Sequence, residues 1–262
     1  MEKKILYLLT CVGLCWSSCT NEVDEFIGNV EPSTRSVSTA LNANLASLFT
    51  GGAPTLTSAE IKEVNDAYAK MTSINCYRNI DEAVRNKTSY AGTIFLDDTY
   101  ASAYFRKGSL AFPPYGILAS SMEHEFIHMY QRDVQGKKVD TDKEKRDTGI
   151  MEFELAFYQG IIRYIHAGYS WTFKGEDGDP SYQSLWTSGL TDPSLIPQYE
   201  REFQTYVASI CANGKPTSID INEFVKWSNI FGEYSRGYSG KGYKFGNYDY
   251  GTSCINSLLK LY

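Results

Sequence analysis

His124, Glu125 and His128 stand together in the run His124-Glu125-Phe126-Ile127-His128. Histidines four apart on a helix lie one above the other on one face, so both imidazoles can reach a single metal ion. Glu125 sits a third of a turn away, beside the coordination position the protein leaves open. There a carboxylate can take a proton from a water that the ion activates. Two histidines leave such a centre one ligand short, because a tetrahedral catalytic zinc takes three protein donors and keeps its fourth position for water. The stretch from Gln131 to Gly136 holds no histidine, and no cysteine is close. A carboxylate is therefore the available third donor.

Two candidates occur in Glu152-Phe153-Glu154-Leu155-Ala156-Phe157, with 23 residues between His128 and Glu152. Glu154 shares a helical face with Ile150, Phe157, Ile161 and Ile165, and a carboxylate on an apolar stripe is costly unless paired or metal-bound. Glu152 shares its face with Leu155, Ala156, Gln159 and Arg163. The chain has three histidines, and the last, His166, lies 14 residues beyond Glu152. At 1.5 Å per residue that is ~21 Å along a continuous helix, too far to share the ion. A helix-end histidine meeting the C-terminal dipole is the expected role for it.

The elements that must hold these groups can be read from the same sequence. A helix is expected from Gly116 to Gln135, stopped by Gly136, and a second from Gly149 to His166, stopped by Gly168. Arg132 to Asp147 is densely charged and reads as a solvated loop. Upstream, Thr57-Ser58-Ala59-Glu60 is a capping box opening a helix through Ile61, Val64, Tyr68 and Met71. Strand-like pieces follow at Thr93–Leu96, Tyr104–Arg106 and Ser109–Phe112, the last stopped by Pro113-Pro114. Further helices are expected at Ser194–Ala212, Ile221–Phe231 and Ser253–Tyr262. The class is α+β, mainly helical with a small sheet.

The HEFIH and EFELAF runs resemble those of gluzincin metallopeptidases, which take the third zinc ligand from the helix after the HExxH helix. The likeness is greatest to the lethal-factor and membrane CAAX types and covers Ser120 to Ile161. It implies a zincin-like domain holding one Zn2+ through His124, His128 and Glu152, with Glu125 as the general base. The family's Glu-Phe pair falls on Glu152-Phe153, and Glu154 is the alternative third ligand. Two departures stand out: Leu155 and Ala156 occupy positions where the family usually has a small and an acidic residue. Gluzincins also supply a Tyr or His to the oxyanion. No residue is assigned that role here, although the Gly- and Tyr-rich run from Gly232 to Gly251 is the natural place for it.

The 262 residues carry a net charge of −6, with 42% hydrophobic and 14% aromatic residues. That composition is globular and excludes a disordered, collagenous or polytopic membrane chain. The acidic balance argues against a nucleic-acid partner. Lys3 and Lys4 precede a short apolar run, and Ser17-Ser18 lead into Cys19. This resembles the signal of a bacterial lipoprotein, and the acidic residues after Cys19 resemble those of Bacteroidetes-type lipoproteins. Residues 1–18 are thus expected to be removed, Cys19 to carry lipid, 19–53 to form a tether and 54–262 to fold as the domain. Such an anchor implies the cell envelope, most naturally the outer membrane. Of six cysteines, Cys76, Cys211 and Cys254 belong to the domain, and two of them are expected to pair in an oxidising compartment. The function these residues imply is zinc-dependent hydrolysis of a peptide or protein substrate. The alternative is a non-catalytic zincin-like binding or accessory lipoprotein of a surface uptake system.

Overall fold

The computed structural model describes residues 40–100, 102–137, 145–166, 194, 196–234 and 253–262. Residues 1–18, read as a signal, Cys19 and most of the glycine- and tyrosine-rich run lie outside them. Eight α-helices and one three-stranded sheet make up the described part. The α+β reading with a helical majority therefore holds. No described helix is long and apolar enough to cross a membrane.

The chain first packs at α1 (Ala43–Leu48), whose Leu45 and Leu48, together with the following Phe49, are buried. The tether expected through residue 53 therefore gives way to core packing from residue 43 onward. The Phe49 ring lies 5.4 Å from Tyr90 and 6.3 Å from Phe105, between centroids. The capping box then opens α2 (Ser58–Ser73): Glu60 N–H donates to Thr57 Oγ1 at 3.3 Å, and Thr57 N–H donates back to Glu60 at 2.6 Å. A helix absent from the sequence reading follows, α3 (Asn75–Lys87), which buries Cys76, Tyr77, Ile80 and Val84 at helical spacing.

Three short strands come next: β1 (Ile94–Leu96), β2 (Tyr104–Arg106) and β3 (Ser109–Phe112), in the order β1-β3-β2. A two-residue turn joins β2 to β3. Both its residues, Lys107 (φ 51°) and Gly108 (φ 77°), are left-handed, the conformation that matches strand twist in a tight hairpin. β1 runs parallel to β3, with Ile94 opposite Leu110. A side chain at Gly92 would not fit there, because its Cβ would fall 2.2 Å from the Gly108 carbonyl oxygen. Ser109–Phe112 is the central strand, so β1 and β2 are the edge strands.

Helix α4 (Ala119–Met129) passes without a break into a π turn, Tyr130–Val134, closed by the Gln135 N–H on the Tyr130 carbonyl at 3.1 Å. Gly136, at φ 71°, ends it. α5 (Lys145–His166) begins four residues earlier than expected, inside the stretch read as a charged loop. From Met151 to Ile165 it is buried on almost every side, as befits a helix wrapped by others. α4, α6 (Ile196–Ile210), α7 (Ile221–Tyr234) and α8 (Ser253–Lys260) all pack on it. Phe153 and Phe157 face Phe203 and Phe224 at ring separations of 5.1 to 6.1 Å, which ties α5 to α6 and α7. Cys76 and Cys211 are buried free thiols. The disulfide expected among Cys76, Cys211 and Cys254 therefore does not form. Burial pushes the two thiols up to about 12 and about 11, so they stay protonated.

Candidate metal centre

Two helices build the site. On α4 the four-residue spacing stacks His124 and His128, and their Nε2 atoms come within 3.0 Å. α5 runs alongside and delivers Glu152. One of its carboxylate oxygens lies 3.2 Å from His128 Nε2 and the other 3.4 Å from His124 Nε2. Donors about 2.0–2.1 Å from a tetrahedral zinc stand ~3.3 Å apart. The 3.0 Å between the two imidazole nitrogens is close to that edge, and Glu152 faces the pair with one oxygen toward each histidine. Two imidazole nitrogens and one carboxylate are also the His2Glu donor set of many catalytic zinc sites. The residues thus fit the ion that the motif implies. Among the described residues this is the group of metal-ligating side chains that converges.

Glu125 sits alongside, its carboxylate 4.0 Å from His124 Nε2. Burial pushes its pKa up, against the opposing pull of His124, His128 and a hydrogen bond from the Phe105 backbone N–H. That bond has a structural origin. Successive residues of an antiparallel strand point their N–H groups alternately at the partner and away from it. The Phe105 N–H on β2 is taken by α4, which packs against that strand. Burial also opposes charge on Glu152, but the two imidazoles outweigh it and hold its carboxyl well below the usual range. His128 is the mirror case: burial disfavours its charge, and Glu152 more than offsets this.

The two glutamates of α5 have different fates. Residues two apart on a helix diverge by about 200°, so one alone can face both histidines. Glu152 does, and its side chain keeps 22% exposure, on the accessible side of the cluster. Glu154 is fully buried and engaged elsewhere: Lys137 Nζ meets its Oε2 at 2.5 Å, and Gln131 Nε2 reaches the same oxygen at 3.2 Å. The alternative ligand is therefore half of a buried ion pair. His166 ends α5 and takes no part in the cluster. Its ring lies 6.0 Å from that of Tyr262, and burial lowers its pKa.

Three groups beside the centre were not singled out in the sequence. Gln131 is three residues past His128, a spacing that puts side chains on one helical face. Lys137 lies beyond Gly136 in irregular chain, where no periodicity applies. The Phe105 N–H is a backbone group and has no sequence signal. Residues 235–250, where an oxyanion donor was sought, fall outside the described residues. The chain matches no family model, no curated protein and no solved structure. The gluzincin likeness therefore rests on the HExxH and Glu-Phe residues themselves.

Proposed function

We propose that the chain is a metal-dependent hydrolase, and among these a gluzincin-like peptidase of zincin-like architecture with one Zn2+ per chain. One observation carries the reading: two imidazole nitrogens and a carboxylate, delivered by two helices, converge within reach of one ion beside a second, buried carboxylate. His124, His128 and Glu152 would hold the ion, which when bound supplies Lewis acidity toward a scissile carbonyl and an attacking water.

The chain's own groups do the rest. Glu125 accepts the proton of the attacking water on its carboxylate and passes it to the leaving amine. Its environment suits both steps. Burial raises its pKa toward working pH, which strengthens it as a base, and the Phe105 N–H fixes its position. Lipid on Cys19 would hold the domain at a bacterial outer membrane, with a peptide or protein as substrate.

Glu125→Gln tests the assignment, because the amide keeps the shape and loses the base. Zinc content should stay at that of the parent, while cleavage of casein or a peptide library falls by about 10²-fold or more. Parent-like cleavage by Glu125→Gln would remove Glu125 from the mechanism. Zinc bound by the parent with no turnover of any peptide would favour a binding lipoprotein instead.

A further inference from the structure

Gln131 is completely buried, on the π turn that extends α4. Its carboxamide has three polar neighbours. Nε2 lies 3.0 Å from the Met151 carbonyl oxygen and 3.2 Å from Glu154 Oε2, and Oε1 lies 2.9 Å from His128 Nδ1. A carbonyl can only accept a hydrogen bond. A carboxylate likewise only accepts, and Glu154 is held in that form by the Lys137 ammonium on the same oxygen. The amide nitrogen must therefore face these two, whichever way the group is first drawn, and its oxygen must face His128.

This orientation has a chemical consequence. Gln131 Oε1 has no hydrogen to give, so His128 Nδ1 must carry one. A neutral imidazole with hydrogen on Nδ1 bears its lone pair on Nε2. That is the atom 3.0 Å from His124 Nε2 and 3.2 Å from the Glu152 carboxylate. We infer that Gln131 is a positioning residue, through which the Lys137–Glu154 pair fixes the tautomer and ring orientation of His128 for metal binding. The backbone supports the relay. Lys137 N–H donates to the Gln131 carbonyl at 3.1 Å, so the chain leaving the π turn folds back and brings the ammonium to the same carboxylate. The consequence for metal affinity rests on reading His128 as a ligand. The Nδ1 proton does not, since it follows from the Gln131 contact alone.

Two measurements on the full chain decide the matter. In metal-free protein, long-range proton–nitrogen correlation of the three imidazoles should show a proton on His128 Nδ1. Zinc affinity, from competition with a chromophoric chelator, should weaken about 10- to 100-fold in Gln131→Met, with the metal-free protein still folded by circular dichroism. Gln131→Glu keeps an acceptor facing Nδ1 and should bind zinc more tightly than Gln131→Met. A purely space-filling role predicts the opposite order, because Met preserves the packing and a second buried carboxylate does not. His128 without a proton on Nδ1 in the parent, or zinc affinity unchanged in Gln131→Met, would overturn the inference. A parent that binds no zinc yet shows Nδ1–H on His128 sinks the metal centre and leaves the relay standing. A parent whose zinc affinity survives Gln131→Met does the reverse.

Discussion

Lys137→Met should be among the most destabilising single substitutions in the chain, although Lys137 touches no proposed metal ligand. Its side chain is 7% exposed and that of its partner Glu154 is 0% exposed, with 2.5 Å between Nζ and Oε2. Methionine has a similar length and no charge. The substitution therefore leaves a carboxylate enclosed by protein, with Gln131 Nε2 still donating to that oxygen. Deleting one partner of a buried pair costs about 3–5 kcal/mol. In a domain of this size each kcal/mol moves the melting temperature by about 2–4 °C, so the drop should be ~6–20 °C. Thermal and urea unfolding of the metal-free protein read it directly. The double variant Lys137→Met/Glu154→Gln replaces the buried carboxylate with a neutral amide and should recover most of the loss. That recovery separates the loss of the ammonium beside a buried carboxylate from lost packing, because both variants lack the lysine. A Lys137→Met loss under ~1 kcal/mol would mean that water screens the pair, and the burial argument would be wrong. A double variant no better than the single would equally refute it.

Other outcomes follow from the same structure. Phe49→Ala should cost about 3–5 kcal/mol in urea unfolding, because the fully buried ring packs on Tyr90 and Phe105. A chain starting at residue 54 should then melt well below one starting at residue 40, and equal melting would restore the tether to its expected length. Gly92→Ala should destabilise by about 1–3 kcal/mol or more, since its Cβ would meet Gly108 O at 2.2 Å and Ser109 Oγ at 2.3 Å. A neutral result there would show that β1 and β3 can separate without cost.

The legible parts of this protein were those with a local code. Alternation and proline placed Tyr104–Arg106 and Ser109–Phe112 at their observed bounds, and Gly136 marked the end of α4 and its π turn as a left-handed residue. The four-residue spacing of His124 and His128 set two imidazole nitrogens side by side before any tertiary contact was considered. Helix α3 was missed because Cys76, Tyr77, Ile80 and Val84 are interleaved with Asn, Arg and Asp, a polar majority that hides a real helical stripe. The π turn has no sequence signature, since one widened turn depends on what the chain does next. Sorting Glu152 from Glu154 by helical face failed for a physical reason. α5 is buried nearly all round, so an apolar stripe does not mark one side of it. Lys137, from outside any periodic element, is what distinguishes them.

Anomalous scattering at the zinc edge, from crystals of the chain without residues 1–18, tests the central claim most directly. One peak per chain is expected about 2.0–2.1 Å from His124 Nε2, His128 Nε2 and a Glu152 oxygen, with Glu154 still held by Lys137. A peak ligated by Glu154, or no peak at the histidine pair in zinc-soaked crystals, would contradict the account.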